Sequence, residues 1–275
     1  MDYDIRSLQL KMLEVLLAID KVCKEHNLKY YIAYGTLLGA VRYKGFIPWD
    51  DDLDIMMPRS DYELLVKNWK LWLPEPYEFV CVELNPEYSN HYGKIQDSST
   101  TLVERDYRNF VGGIFVDVFP IDCAPELPKR KKYNKKFKRL KKIRHFLYRD
   151  PYRHGHGPSC WYPLLLRKLF TREKITSKIK ALVTEFDLEK SDYVAIYSGD
   201  VLDMFPKKDL GEPTPIKFEN HYVMGMTNNT GHLIDSYGPD YMTPPPADKI
   251  FQHKFWYVDL NLPYREYHKQ YCENK

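Results

Sequence analysis

The chain has 275 residues, of which 44% are hydrophobic and 15% aromatic, so it is a globular protein with material for one large core or a core with an appended lobe. Its net charge of +3 hides an asymmetry: residues 129–149 hold twelve Lys and Arg and no acid, which leaves the rest of the chain with nine more acids than bases. No run of about 18 apolar residues is present to span a bilayer. The N-terminus MDYDIRSLQLK is unlike a secretory leader and points to the cytosol, and five widely spaced cysteines without a C-x-x-C pair support neither a disulfide framework nor a zinc ribbon.

In chain order, Ile5, Leu8, Met12, Val15 or Leu16, Ile19 and Val22 recur at three- to four-residue spacing and predict a helix over 5–26. Tyr30 to Ala33 reads as a short strand ended by Gly35 and Thr36, and Leu37 to Tyr43 as a brief helix whose first amides face whatever lies beyond that strand. Asp52 to Met56 alternates acid and aliphatic residues, a second strand with Asp52 and Asp54 on one face, and Pro58 and Ser60 open a helix over 59–70. Strands follow at 78–83, 91–96 and 114–119, helices at 126–148 and 163–187, a hairpin near 216–226 and a small helix near 228–237. The turn-rich stretches 149–163 and 206–215 are candidate boundaries. The expected organisation is a mixed-sheet α/β (α+β) core over 1–125, a basic amphipathic helix over 126–149, and a helical and short-strand region over 150–275 packing on the core.

Two features call for chemistry. Asp50, Asp51, Asp52 and Asp54 crowd into five positions beside Leu53, Ile55, Met56 and Met57, which is unfavourable unless a basic partner, solvent or a metal ion sits among them. Asp117 is a lone acid inside the apolar run Ile114 to Pro120, and a buried carboxylate is rare unless paired or metal-bound. Two acids two apart on one strand and a third on a neighbour surround a point where a hard cation binds.

That arrangement also fits the nucleotidyltransferase superfamily: Gly35 and Thr36 at the end of a strand, Asp52 and Asp54 on the next, and Asp117 later. The fuller text YGTLLGAVRYKGFIPWDDDLDIMMPRSDYELL resembles the signature of the LicD family, phosphocholine transferases related to fukutin and the fukutin-related protein. The resemblance continues through Tyr92 to Asp97 with Thr100 and Thr101, Phe115 to Asp122, and Tyr237 to Pro246 with His253 following, but not through 129–200. It implies a nucleotidyltransferase-like core and transfer of phosphocholine from CDP-choline to a hydroxyl of a glycan or lipid-linked glycan of the teichoic acid or lipopolysaccharide type, with CMP leaving. Asp52, Asp54 and Asp117 become the expected catalytic residues and ligands of Mg²⁺ or Mn²⁺, with Asp117 alternatively a general base toward the acceptor. Other expectations are another CDP-linked alcohol, phosphoribitol or phosphoethanolamine, or an inactive scaffold on an anionic surface.

Gly35, Thr36 and the amides after them are expected to hold phosphate, unless they form a plain turn. Arg42 and Lys94 either pair with phosphate oxygens or form ion pairs with the aspartates. Asp50 and Asp51 either orient the ligands or are solvated. A quaternary ammonium is held against aromatic faces, and Tyr34, Tyr43, Trp49, Tyr88 and Tyr92 lie closest in sequence to the acids, Trp49 being taken as substrate-binding. His154, His156 and Cys160 are weak zinc candidates, three groups without a fourth. Within 129–149 an apolar stripe of Tyr133, Phe137, Leu140 and Leu147 among cations suits the face of an anionic membrane, peripheral on the inner side of the cell membrane, or a solvated helix. Nucleic acid is the poorer partner, because no recognisable nucleic-acid module accompanies the segment.

Overall fold

The computed structural model describes residues 3–104, 110–152, 156–188, 191–197, 203–253 and 255–272. Helix α1 (Ile5–Glu25) starts at Asp4, whose carboxylate accepts hydrogen bonds from the Arg6 and Ser7 amides, and it buries the stripe Leu8, Met12, Val15, Leu16, Ile19 and Val22 that its periodicity predicts. The core continues with β1 (Tyr31–Ile32), α2 (Tyr34–Tyr43), β2 (Asp54–Pro58), α3 (Arg59–Trp72), β3 (Tyr77–Val80), β4 (Gly93–Val103) and β5 (Gly112–Cys123). Next come α4 (Leu127–Tyr148), α5 (Trp161–Leu169), α6 (Arg172–Val183), β6 (Tyr193–Ile196), β7 (Asp203–Pro206) and α7 (Lys207–Leu210). The hairpin β8 (Thr214–Phe218) and β9 (His221–Gly225), α8 (Asn229–Tyr237), β10 (Tyr257–Asp259) and α9 (Tyr264–Tyr271) complete the chain.

Among the described residues eight strands form one mixed sheet along the path β1-β2-β5-β4-β10, with β3 on β4 and the β6-β7 pair on β5. Only β2 and β5 run parallel in it, and β8-β9 form a separate two-stranded sheet. This is the mixed α/β architecture expected from the sequence. Every residue of β5 is buried, as its nearly solid apolar run requires of a strand covered on both faces. A second apolar cluster joins Tyr133, Phe137, Ile143 and Leu147 of α4 to Leu166 of α5, Ile175, Ile179 and Leu182 of α6, and Tyr197. No helix among the described residues is long and apolar enough to cross a membrane.

Three elements differ from the sequence reading. The second strand begins at Asp54, not Asp52, so Asp52 stands in the connection ahead of it. Helix α2 already starts at Tyr34, which places Gly35 and Thr36 inside its first turn and not in a loop before it. The single helix expected over 163–187 is two: Phe170 turns extended, and Thr171 caps a new helix by accepting from the Lys174 amide at 3.2 Å.

Candidate active site

The parallel register of β2 and β5 sets Asp54 directly beside Asp117, and the antiparallel register of β5 and β4 sets Lys94 on the other side of Asp117. Three neighbouring strands thus carry acid, acid and base in one row. Thr36 fixes the first of them: its Oγ1 accepts from the Asp54 amide at 2.9 Å. The Thr36 hydroxyl is an acceptor in that bond, and its own O–H is not spent by it. Gly35 leaves room for Asp50: a Cβ at this position would lie 2.7 Å from Asp50 Oδ2, so the carboxylate would have to shift.

The acids are electrostatically crowded. Burial, then Asp52 and Asp51, push the Asp50 carboxyl up to about 8. Burial, then Asp52, Asp117 and Asp50, hold Asp54 well above the usual carboxylate range. Burial raises Asp117 to about 7 against the opposing pull of Lys94. Lys94 itself is 2% exposed, lies 3.4 Å from Asp117 Oδ1, bonds Glu104 through its ammonium, and sits 3.1 Å above the Phe115 ring. The contact of Lys94 with Asp117 is an ion pair to an aspartate.

Asp51 behaves differently from its neighbours. Burial would raise it, but the His253 ring Nδ1 at 2.9 Å, the His253 amide at 3.0 Å and the Tyr3 hydroxyl at 2.8 Å hold it below the ordinary value. His253 Nε2 reaches on to 3.6 Å from Asp52 Oδ2, and the acids raise its own pKa. Tyr237, at the end of α8, lies in the same field: burial, then Asp54, Asp50, Asp203 and Asp52, raise its phenol. Sequence reasoning did not give His253, Tyr3 or Tyr237 a role, and the only signal was that Tyr237 and His253 fall in stretches that carry the family resemblance.

The remaining candidates divide. Tyr34 and Tyr92 flank Phe119 on β5, with ring centroids 5.4 Å and 4.4 Å from it, so an aromatic wall stands two residues along the strand from Asp117. Tyr88 is fully buried and packs on Phe110. Trp49 is half-buried and edges onto Tyr43 at 6.3 Å, apart from that wall. Arg42 lies 5.8 Å from the Tyr43 ring, with Nε buried and unpartnered and no ion pair to a described residue. His154 falls outside the described residues, and Cys160 donates its thiol to the Gly157 carbonyl at 3.0 Å.

All three expected ligands offer oxygen, Asp117 Oδ1 accepts no hydrogen bond, and the repulsion that raises Asp54 and Asp117 is what a cation relieves. Among the described residues, however, no three His, Cys, Asp or Glu side chains are already converged as a ligand shell. The chemistry and the field fit a divalent ion; the carboxylates would have to close upon it.

Residues 27–148 match the family model described as "LicD/FKTN/FKRP, nucleotidyltransferase domain". The chain carries a LicD family domain. It is also 28% identical over 257 residues, 90% of its length and 95% of the relative's, to the lipopolysaccharide cholinephosphotransferase LicD of Haemophilus influenzae. A shorter similarity, 44% over 52 residues, links it to the uncharacterized protein RP689 of Rickettsia prowazekii, covering 19% of this chain and 20% of that one. The matched residues include β2, β5 and β4, which carry Asp54, Asp117 and Lys94, and α2, which carries Thr36.

Proposed function

We propose that the protein transfers phosphocholine from CDP-choline to a hydroxyl of a lipopolysaccharide-type glycan and releases CMP. The observation that carries this reading is the Asp54–Asp117 alignment inside a LicD domain, in a chain similar over nearly its whole length to a protein named for cholinephosphate transfer. In the step, the acceptor oxygen bonds to the phosphorus bearing choline, the bond from that phosphorus to the CMP oxygen breaks, and the acceptor proton leaves to a base. Asp52, Asp54 and Asp117 would hold Mg²⁺ or Mn²⁺, which supplies charge neutralisation for the pyrophosphate and acidifies the acceptor hydroxyl when bound.

The chain's own groups divide the rest of the work. Asp117, near 7 beside Lys94, whose ammonium also bonds Glu104, suits proton acceptance close to neutral pH where it is not committed to the metal. The first-turn amides of α2, which has no side-chain N-cap, and Arg42, whose buried Nε has no hydrogen-bond partner among the described residues, suit the leaving phosphate. Asp51, held by His253 and Tyr3, positions the segment that presents Asp52. The wall of Tyr34, Phe119 and Tyr92 suits the trimethylammonium group, which offers no hydrogen bond and is stabilised by aromatic faces.

The acceptor's surface is also addressed. The exposed face of α4 carries Lys131, Lys132, Lys135, Lys136, Arg139 and Lys142, and α5 beside it exposes Trp161, Leu165 and Leu169 at helical spacing. Cations next to an exposed apolar stripe with a tryptophan fit an anionic lipid surface.

The deciding assay offers CDP-choline, CDP-ethanolamine and CDP-ribitol with Mg²⁺ and a lipopolysaccharide acceptor, and follows CMP release. CDP-choline should be preferred over CDP-ethanolamine by about 1–2 kcal/mol if the aromatic wall holds the quaternary group. Turnover favouring another CDP-alcohol would replace choline in this reading, and unimpaired turnover in Asp54→Asn would remove Asp54 from the site.

A further inference from the structure

Away from the carboxylates, helices α4 and α6 leave between them, at the edge of the second apolar cluster, an open groove of about 510 Å³. Its floor is Ile143 of α4 with Ile175 and Leu182 of α6, and its sides are the half-buried Leu140 and Phe170 and the exposed Ala181. That volume lies within the roughly 300–1,000 Å³ of small-molecule sites. Helical spacing accounts for the lining: Leu140 and Ile143 share one face of α4, Ile175 and Leu182 share one face of α6, and Ala181 brings only a methyl group to the opening.

Three cations and, among the described residues, no acid complete the lining. Lys136 and Arg139 stand one turn ahead of Leu140 and Ile143 on α4, and Lys178 of α6 places its ammonium 5.8 Å from the centre of the Phe170 ring. All three are exposed, and none makes an ion pair with a described residue. An apolar trough rimmed by cations of one sign complements an amphiphile of the other: an alkyl chain leaves water along the floor while its anionic head stays at the rim, where a guanidinium meets phosphate oxygens in pairs. A neutral chain would leave the cations unanswered, and an anion without a chain would gain nothing from the floor. Phe170 also follows Leu169, the last residue of the exposed stripe of α5, so the apolar edge of the groove continues in the chain from the surface proposed above to face lipid.

We propose that this groove binds one molecule of an anionic phospholipid, with an acyl chain along Leu140, Ile143, Ile175 and Leu182 and the phosphate head at Arg139, Lys136 and Lys178. A cationic helix face by itself adsorbs to a charged surface with no fixed stoichiometry. The groove adds a saturable site that selects for a chain as well as for a charge. It does not depend on which alcohol the enzyme transfers.

The test is titration calorimetry of the full chain with dihexanoyl phosphatidylglycerol kept below its micelle-forming concentration. One lipid per chain should bind saturably. Octyl glucoside, a chain without charge, and glycerol phosphate, a charge without a chain, should each bind more weakly by about tenfold or more. Ala181→Trp fills the groove from an exposed position and alters no charge, so it should abolish lipid binding while unfolding at the parent's temperature. Arg139→Gln should weaken binding by about fivefold, the share of one charge beside an anionic lipid. Lipid binding undiminished in Ala181→Trp overturns the site, and glycerol phosphate bound as tightly as the lipid reduces it to a patch of cations. A dimer seen by light scattering that Ala181→Trp dissociates would give the groove to a second copy of the chain instead. Monomeric lipid presents no surface, so these outcomes are separate from whether the cationic face of α4 meets a membrane.

Discussion

Replacing Lys94 by Met should unbalance the centre of the sheet. The ammonium is almost fully buried between two acids, 3.4 Å from Asp117 Oδ1 and bonded to Glu104. At that separation an effective dielectric of about 20 gives an attraction of about 5 kcal/mol to Asp117. Deleting one member of a buried pair typically costs about 3–5 kcal/mol, since the abandoned charge stays buried. For a chain of this size the unfolding temperature should fall by about 10 °C. Circular dichroism melts of the parent, Lys94→Met, Asp117→Asn and the double variant form a cycle, and the pair should couple by about 2 kcal/mol or more. Added Mg²⁺ should recover part of the Lys94→Met loss, because a cation among the carboxylates replaces the missing charge. A loss below about 1 kcal/mol, or additive single effects, would refute the view that Lys94 is the counter-charge of Asp117.

The acids should separate by sign. Asp51→Asn should destabilise the protein by about 1–3 kcal/mol, because His253 and Tyr3 lose a charged acceptor, whereas Asp54→Asn should be neutral or stabilising without metal; melts in chelator distinguish them. With pH the direction follows from raised folded-state values. Asp117 near 7 and Asp50 near 8 bind protons in the folded state that the unfolded chain has already released, so metal-free stability should decline as pH rises from about 4 through about 8. Mg²⁺ should flatten that decline and release protons on binding near neutral pH, measurable by calorimetry in buffers of different ionisation enthalpy; a flat metal-free profile would contradict the crowding. On anionic liposomes, Gln at Lys131, Lys132, Lys135, Lys136, Arg139 and Lys142 should weaken co-sedimentation and mimic added salt, each charge being worth up to about 1 kcal/mol, and leave transfer to a soluble short glycan nearly unchanged. Undiminished sedimentation of that variant would refute an electrostatic membrane contact through α4.

Much of this could be read from residue order because local patterns dictate it. The stripe of α1 and the solid apolar run of β5 each leave one periodicity, and a solitary Asp117 in such a run marks itself. What escaped is non-local. Asp51 and His253 are 202 residues apart, and no spacing rule joins them. The β6-β7 pair and β10 are too short to show a period and gain their place from the edges of a sheet already formed. The basic helix shows a different limit. Its pattern says that one face leaves water, not what covers it, and Tyr133, Phe137 and Leu147 turn out to pack inward on α6 and Tyr197. Only the cationic face of α4 remains for a membrane, and the exposed apolar stripe lies on α5 instead.

The crowd of aspartates at 50–54 therefore resolves into two populations. Asp51 is answered within the fold, by a ring nitrogen, an amide and a phenol, and its charge is an anchor between the N-terminus, the acid loop and the C-terminal segment. Asp50, Asp54 and Asp117 receive no comparable set of donors from the described residues; Lys94 opposes the charge of Asp54 and Asp117 from β4, and His253 that of Asp50. A fold under selection for stability alone would exchange such groups for apolar ones of similar volume, which is commonly neutral or favourable. Asp54 and Asp117 sit on β2 and β5, buried strands whose backbone cannot relax to separate them. Strands that hold Asp54 and Asp117 in register would offer a cation two carboxylates whose repulsion it relieves, while Asp52, in the connection ahead of β2, would have to close upon it.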